Sequence, residues 1–490
     1  MRTLARKQGR KMSHKICLRK IITVIAVSMV IAGCSLAPKY ERPSAPVPEY
    51  FPGYEYQKEE LVSADLGWSD FFKDQRLHAL IELALDNNRD LRIAINRAEE
   101  ARAQYGISRS DRFPTIGLGG SAENTRLPET MRMPNADSVN RTYMAGAALT
   151  AFEIDFFGRI KNLSEAAFES YLATEQANRT VHINLVAQVA EAYFKYRAAQ
   201  DLASLMEKTL LSRTKTFDLV KQRFDEGIES ELGLSQAKAQ LDSVKSDLTA
   251  IKRQEKQALN ALVLLVGTSI PENLPKGEQF GKDQLYESLP AGLPSDLLIR
   301  RPDIIAAEHR LKAANANIGA ARAAFFPNIS ITGLLGFASP QLGGLFSSDN
   351  RYWQYNPTIS IPIFGGGQQS NLDLAEARSN IAVAEYEKAI QIAFKEVMDS
   401  LSGEETYSAQ LDALRELEKS NMKALELAQM RYETGVDSFL QVQNAEVNLY
   451  SAQQLFIQTG MESLLNRIEL YKALGGGWYK MTQLDKKITS

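Results

Sequence analysis

Few side chains in this 490-residue chain have a type and spacing that could carry chemistry. Cys34 is one, because a thiol is a nucleophile and a metal ligand; the other cysteine, Cys17, lies in a basic N-terminal stretch. The four histidines, His14, His78, His182 and His309, are far apart and lack HxxxH spacing. There is no phosphate-binding glycine loop, no GxGxxG after a strand and no GxSxG. Gly365-Gly366-Gly367 stands at a strand-to-helix corner, where a flexible bend explains it. Met131 and Met133 are only a weak pattern for soft metals. No catalytic, cofactor-binding or metal site is expected, and the chain reads as a non-enzyme. What remains is ionic. Residues 223–230 read RFDEGIES and residues 431–438 read RYETGVDS, two copies of one charged, glycine-centred break.

The N-terminus gives Cys34 its context. Residues 2–20 are basic, residues 21–32 are apolar but too few to span a bilayer, and Ile31-Ala32-Gly33-Cys34 closes the run. This order has the form of a secretory signal over 1–33, and its end resembles the bacterial lipobox, where cleavage exposes a lipid-modified cysteine. Cys34 would then carry N-palmitoyl and S-diacylglycerol groups. Cys17 leaves with the signal, so no disulfide framework or cysteine metal cage is possible. Without the eight basic residues of 1–33 the formal charge falls from −2 to −10. Such an acidic chain lacks the basic footprint of a nucleic-acid binder. No run of about 20 apolar residues follows, so any membrane span must be β.

Two kinds of element surround the charged breaks. Residues 34–75 read as an extended, proline-rich tether, with Trp68, Phe71 and Phe72 as the first apolar docking points. A helical pattern runs over about 77–112 and stops at Phe113-Pro114. Alternation then places Ile116, Leu118, Gly120 and Ala122 on one face. After a polar loop over 123–141, Phe152, Ile154 and Phe156 alternate with Glu153 and Asp155. Apolar-out alternation fits a barrel wall, and it equally fits a half-buried pair in a soluble sheet. A helix of 160–225, the break at Gly227 and a returning helix over 231–266 complete the first repeat, 76–267. End to end, the two shorter helices would match the long one in a pillar roughly 100 Å tall.

A connector over 268–295 leads into the same plan. Asp90, Arg97, Gly106, Arg109, Phe113 and Pro114 recur as Asp303, Arg310, Gly319, Arg322, Phe326 and Pro327 at constant spacing. Strand patterns at 329–332 and 359–363 flank a loop over 339–352. A helix over 368–434, the break at Gly435 and a helix over 438–474 follow, completing the second repeat, 296–475, before a tail over 476–490. The fold class is therefore mainly α with a small β part, in duplicated antiparallel helical hairpins. Four strands cannot close a barrel, and an open sheet edge cannot sit in lipid, so the chain must assemble. Three copies would give twelve strands; two or four remain open on this argument. An alanine-rich seam over 306–324 allows close helix packing.

The lipobox, the duplicated plan, NIGAARAAFFPNISITG over 317–333 and the closing LYKALGGGW resemble the TolC outer-membrane factor family. The likeness is greatest to its lipoprotein branch, with OprM and CusC as examples, and covers essentially the whole mature chain. It implies a homotrimer with a twelve-stranded transmembrane β-barrel and a periplasmic α-barrel, docked to a periplasmic adaptor and an inner-membrane pump of the RND type. Ser35 after the cysteine fits outer-membrane sorting. The resemblance makes the tips around Gly227 and Gly435 the periplasmic mouth, closed at rest and in contact with the adaptor. Leu440 matches an apolar constriction, and Asn444 a position often occupied by Asp. This departure puts an acidic ring there in doubt, although Asp437, Glu229 and Glu231 keep the tips acidic. Those acids equally suit helix starts, and Arg223 and Arg431 suit helix ends. The sharper reading of the arginines is ion pairing that holds the mouth shut. The expected function is a passive efflux duct for drugs or toxic compounds. Type I secretion, copper or silver efflux, and a non-pore coiled-coil scaffold are the alternatives.

Overall fold

A computed structural model describes residues 35–54, 63–133, 137–277, 284–286, 289 and 294–483. Cys34 and the signal over 1–33 lie outside the described residues, as do 278–283, 287–288 and 290–293 of the connector. The chain divides into two compact units that cut across the repeats. One holds residues up to 43, Glu99–Thr174 and Ala307–Tyr386; the other holds Ser44–Ala98, Glu175–Ala306 and Glu387–Ser490.

In chain order the elements are α1 (Trp68–Phe71), α2 (Gln75–Asn87), α3 (Arg89–Ser110), β1 (Thr115–Arg126), β2 (Val139–Glu153), α4 (Arg159–Asp225) and α5 (Glu231–Val266). The second repeat gives α6 (Pro294–Arg300), α7 (Pro302–Ala323), β3 (Asn328–Ser339), β4 (Arg351–Ser360), α8 (Gln368–Glu433) and α9 (Phe439–Ala473). The two long helices, of 67 and 66 residues, match the expected 160–225 and 368–434. Among the described residues no helix is long and apolar enough to cross a membrane.

The expected single helix over 77–112 is two. Asn88 adopts an extended conformation (ψ 133°) and breaks it. Its side chain explains the break: Nδ2 donates to Leu265 O at 2.8 Å, while Oδ1 caps Leu91 N at 2.9 Å. Terminal carbonyls of a helix have no partner within it, and an amide supplied from the next element satisfies one. Arg301 stands at the equivalent break before α7 and donates to Ala473 O at 3.1 Å, in the last turn of α9. The start of α3 therefore meets the end of α5. The amphipathic α2 instead buries Leu77, Leu80, Ile81 and Ala84 in a side core.

That core takes in Trp68, Phe71 and Phe72, the docking points read from the sequence, with Tyr193, Phe194, Leu262 and Ile468. Phe71 stacks on Tyr471 at 4.0 Å, and Tyr471 donates to Leu66 O at 2.6 Å. His182 packs edge-on to Trp478, with Nε2 buried and without a partner among the described residues. Burial pushes its pKa down to about 4, so the folded state binds less proton than the unfolded one between pH 6.5 and 4. Stability is thus full above pH 6.5 and falls as pH drops toward 4, by up to about 3 kcal/mol. A His182→Leu variant is expected to lose this component; unfolding at pH 7 and pH 4.5 by circular dichroism, compared with the parent, measures it.

In the other unit the four strands form one antiparallel sheet in the order β1-β2-β3-β4. The strands outrun the alternating segments read from sequence. β1 continues through Glu123–Arg126 and β2 begins at Val139, so the loop expected over 123–141 is shorter. β4 ends at Ser360, so Ile361 and Ile363 lie beyond it. Register places Ile116 and Leu118 beside Leu149 and Ala147, and those beside Gly333 and Leu335, next to Tyr355 and Trp353. This face is apolar. Its opposite is more polar, with Thr115, Gly117, Gly119 and Ser121 on β1 and Gln354, Asn356 and Thr358 on β4, and with Met144, Ala148 and Leu334 between them. A bulge between Leu149 and Phe152, with Ala151 at φ 21°, absorbs one residue and returns Phe152 to the apolar face beside Ile331. Among the described residues, β1 and β4 each keep one unpaired edge.

The tether is docked rather than loose. Glu308, 4% exposed on α7, accepts from Tyr40 Oη at 3.1 Å and from Arg42 at 3.1 and 2.8 Å. Asn315 donates to Pro38 O at 2.8 Å, and Ser35 donates to Asn162 at 2.7 Å. Burial works to raise the Glu308 pKa, but hydrogen bonds and charge from Arg42 and Lys312 bring it below the usual range. The carboxylate therefore stays ionised and holds the residues that follow Cys34. The alanine seam packs as read, with Ala313 and Ala316 against Ala166.

Candidate functional site at the paired hairpin tips

Both charged breaks are tight helix reversals. Gly227 and Gly435 sit at φ 76° and 74°, a left-handed conformation that costs a side chain energy and glycine little. Ile228 N donates to Arg223 O at 2.8 Å, and Val436 N to Arg431 O at 2.9 Å, closing the last carbonyls of α4 and α8. Ser230 then caps α5 by accepting from Gly233 N at 3.1 Å. Ser438 makes no such side-chain cap for α9.

The two tips pack on each other. Val220, Ala237, Tyr432, Phe439 and Val442 form a small core, with Phe217, Leu234, Leu425 and Ala428 against it. Phe439 fills this core 5.7 Å from the Tyr432 ring, whereas Glu231, its counterpart in the first repeat, is exposed. Tyr432 Oη donates to Glu229 Oε2 at 3.0 Å. Burial, with the Glu229 carboxylate beside it, pushes the Tyr432 pKa up to about 12, so the hydroxyl remains a donor.

The arginines, equivalent by duplication, do different things. Arg431 forks onto Asp437 in its own tip, Nε to Oδ2 at 2.6 Å and Nη2 to Oδ1 at 3.2 Å. Hydrogen bonds from that guanidinium hold the Asp437 carboxyl below its usual range. Arg223 crosses to the other hairpin. Its Nη1 donates to Tyr432 O at 3.2 Å, and the guanidinium lies 4.6 Å from the Tyr432 ring. Arg223 thus meets a helix end other than its own, a contact that periodicity does not reveal.

Leu440 and Asn444 are both exposed, one helical turn apart on α9. Glu231 is exposed, and Glu229 is turned inward to Tyr432. The structure therefore joins Arg223 and Glu229 across the two tips, pairs Arg431 with Asp437 within one, and leaves Leu440, Asn444 and Glu231 on open faces.

Sequence reasoning missed a buried charge pair. Arg213 on α4 and Glu446 on α9 form an ion pair with both side chains only 5% exposed, and Thr216 Oγ1 donates to Glu446 Oε1 at 3.2 Å. Desolvation is the largest influence on both: it lowers the Arg213 pKa and raises that of Glu446, against their mutual attraction. The only signal in sequence was a lone acid on the inward side of α9. Above this pair, α4, α8 and α9 line a groove of about 820 Å³ that includes Lys208, Arg415, Glu418 and Phe456.

The model of the outer membrane efflux protein family matches residues 80–268 and 293–476, the two duplicated halves. This chain belongs to that family. It is 43% identical over 469 residues to a probable efflux pump outer membrane protein, TtgC, of Pseudomonas putida, covering 95% of this chain and 97% of that protein. It is 41% identical over 458 residues to outer membrane protein OprJ of Pseudomonas aeruginosa, covering 93% of this chain and 96% of OprJ. The solved open state of the Neisseria gonorrhoeae MtrE outer membrane channel superposes with a TM-score of 0.83 at 38% identity, covering 92% of this chain and all of that one. In this outer membrane efflux protein the sheet and the hairpins are thus parts of a channel architecture, and the two faces of the sheet acquire a meaning.

Proposed function

We propose that this protein is the outer-membrane exit duct of a tripartite RND-type efflux system. Three copies pair the β4 edge of one with the β1 edge of the next, closing a twelve-stranded barrel, and their helices continue it as a periplasmic tunnel. One observation carries this reading. The four-stranded sheet has one apolar face, one polar face and two open edges, which lipid tolerates only when the edges are paired. The names of TtgC and MtrE, an efflux pump protein and a channel, support it. The duct performs no reaction. It passes small toxic compounds from an inner-membrane pump, which makes the choice of cargo, through a periplasmic adaptor that meets the hairpin tips. Leu440 forms the apolar constriction of the mouth and Asn444 its polar neighbour. Acyl groups on Cys34 anchor each copy, with Glu308 holding the following residues to α7.

The test is direct. Protein extracted from outer membranes should have the mass of a trimer, resist detergent dissociation until heated and conduct ions in planar bilayers. Mass spectrometry should find the acyl groups on Cys34, and deletion in the native host should sensitise it to toxic compounds. A non-conducting, soluble elongated species after delipidation would overturn the duct, and a dimer or tetramer would overturn the stoichiometry.

A further inference from the structure

The charges of the sheet are sorted by face. Its four strands hold three basic residues, Arg126, Arg141 and Arg351, and two acids, Glu123 and Glu153. Register sets Arg126 opposite Val139, Arg141 opposite Asn124 and Arg351 opposite Phe337. These positions continue the rows of Ile116, Leu118, Tyr143, Trp353 and Tyr355. Side chains alternate along a strand, so all three arginines share the apolar face and both acids fall on the other. The arginines also stand at one end of the sheet, beside the loops over 127–138 and 340–350. The helices join the opposite end, next to Thr115, Glu153, Asn328 and Ser360.

Nothing in the described chain neutralises this rim. Each arginine is exposed, and none has an ion-pair or hydrogen-bond partner among the described residues. Glu129, Asp137 and Asp349 lie in the two loops and pair with none of them. Next inward on the same face come aromatic rings, Tyr143 two positions from Arg141 and Trp353 two positions from Arg351, roughly 7 Å along each strand. Trp353 stacks on Tyr355 at 5.8 Å, and the two rings are 68% and 64% exposed. Exposed rings in a girdle mark where an apolar barrel wall meets the lipid headgroups. An arginine one step beyond them stands at headgroup depth, its stem along the wall and its guanidinium free to fork onto a phosphate.

We infer that this rim is a binding site for the phosphate groups of an outer-leaflet glycolipid, lipopolysaccharide in an outer membrane. The inference rests on the barrel proposed above and adds what its outer rim recognises. Arg126 and Arg141 are diagonal neighbours on β1 and β2, about 7–8 Å apart at the backbone. Arg126 ends β1 and Arg351 begins β4, the two strands that meet between copies in the ring. Each seam therefore brings Arg126 and Arg141 of one copy to the same rim as Arg351 of the next, three cations with no acid on their face. An anionic headgroup supplies the missing charge and bridges the seam, and the rings of Tyr143, Trp353 and Tyr355 flank its acyl chains.

The test titrates the full-length, detergent-solubilised protein with bisphosphorylated lipid A and counts bound lipid by native mass spectrometry. Dephosphorylated lipid A, with the same acyl chains, is the second probe and inorganic phosphate the third. The parent should bind the bisphosphorylated form at least fifty-fold more tightly than the dephosphorylated one. Each of Arg126→Gln, Arg141→Gln and Arg351→Gln should weaken binding about five-fold, and the triple variant should bind both lipids alike. Arg351→Lys keeps the charge and should stay within about three-fold of the parent, whereas Glu123→Gln, on the other face, should change nothing. Inorganic phosphate at 10-fold excess should not displace the lipid. The inference is overturned if the dephosphorylated lipid binds as well to the parent, if the triple variant keeps the preference, or if inorganic phosphate competes. Should the triple variant not assemble, parental affinity in all three single variants overturns it equally. Failure of the parent to form trimers or to conduct would sink the duct reading itself, a result separable from these.

Discussion

Valine at position 336 is expected to prevent the sheet, and with it the barrel, from forming. Gly336 faces Gly146 across the β2–β3 pair. A Cβ at 336 would lie 2.5 Å from Gly146 Cα and collide with Ala145 O, and one at 146 would lie 2.7 Å from Gly336 Cα. Both obstacles are backbone, so no rotamer change relieves them and the two central strands must separate. Overpacking with mobile neighbours costs about 1–3 kcal/mol, and immovable ones place this substitution above that range. Each copy in the ring would carry the same defect. The measurement is the fraction of outer-membrane protein running as a detergent-resistant oligomer, expected to fall at least ten-fold. Gly117→Val supplies the control, because a Cβ there meets nothing within 4 Å and valine suits a strand. Assembly of the Gly336 variant at parental levels would show that the strands are not held at this spacing.

Arg301→Met is expected to lower folding stability by about 3 kcal/mol. Arg301 is 7% exposed, and its guanidinium makes four contacts: Asp303 Oδ1 at 3.0 Å and Oδ2 at 2.6 Å, Glu396 Oε2 at 2.7 Å, and Ala473 O at 3.1 Å. Burial alone would lower its pKa, yet the bonds to Asp303 and Glu396 raise it above the ordinary value, so the cation is held. Methionine matches the chain length and removes the charge and every donor. Asp303 and Glu396 each keep about a third of their surface in water and can rehydrate, which places the loss at the lower end for a broken buried pair. Loss of helical circular dichroism in denaturant, beside Lys419→Met at an exposed pair with Glu416, measures it. Equal midpoints for the two variants would show that Arg301 ties nothing together.

The residues that were legible in advance share a physical property: their structural role is decided by neighbours in sequence. Gly227 and Gly435 were read as helix reversals because a left-handed turn favours glycine whatever surrounds it. The two long helices were read to within a residue or so at each end, since proline is absent between the flanking glycines and the apolar period persists. Strand ends were read poorly. Glycine- and alanine-rich stretches such as 144–148 lack alternation in side-chain size, and only pairing with β1 extends β2 back to Val139. Asn88 offered one local cue, an N-cap side chain that accepts from Leu91 N, but its other partner, the Leu265 carbonyl, is 177 positions away.

The duplication, the helix lengths, the paired tips and the two-faced strands belong to the sequence by itself, because each follows from backbone preference or from a period read along a single element. Which charges meet was decided only by tertiary structure. Arg213 and Glu446 are 233 residues apart, and helical periodicity says which face a residue occupies but not which level of another helix it will meet. The same holds for Arg223 and Arg431, alike in sequence and in place. One closes on its own tip and the other on its neighbour's tyrosine, because Tyr432 and Asp437 stand where the first repeat has Phe224 and Glu229.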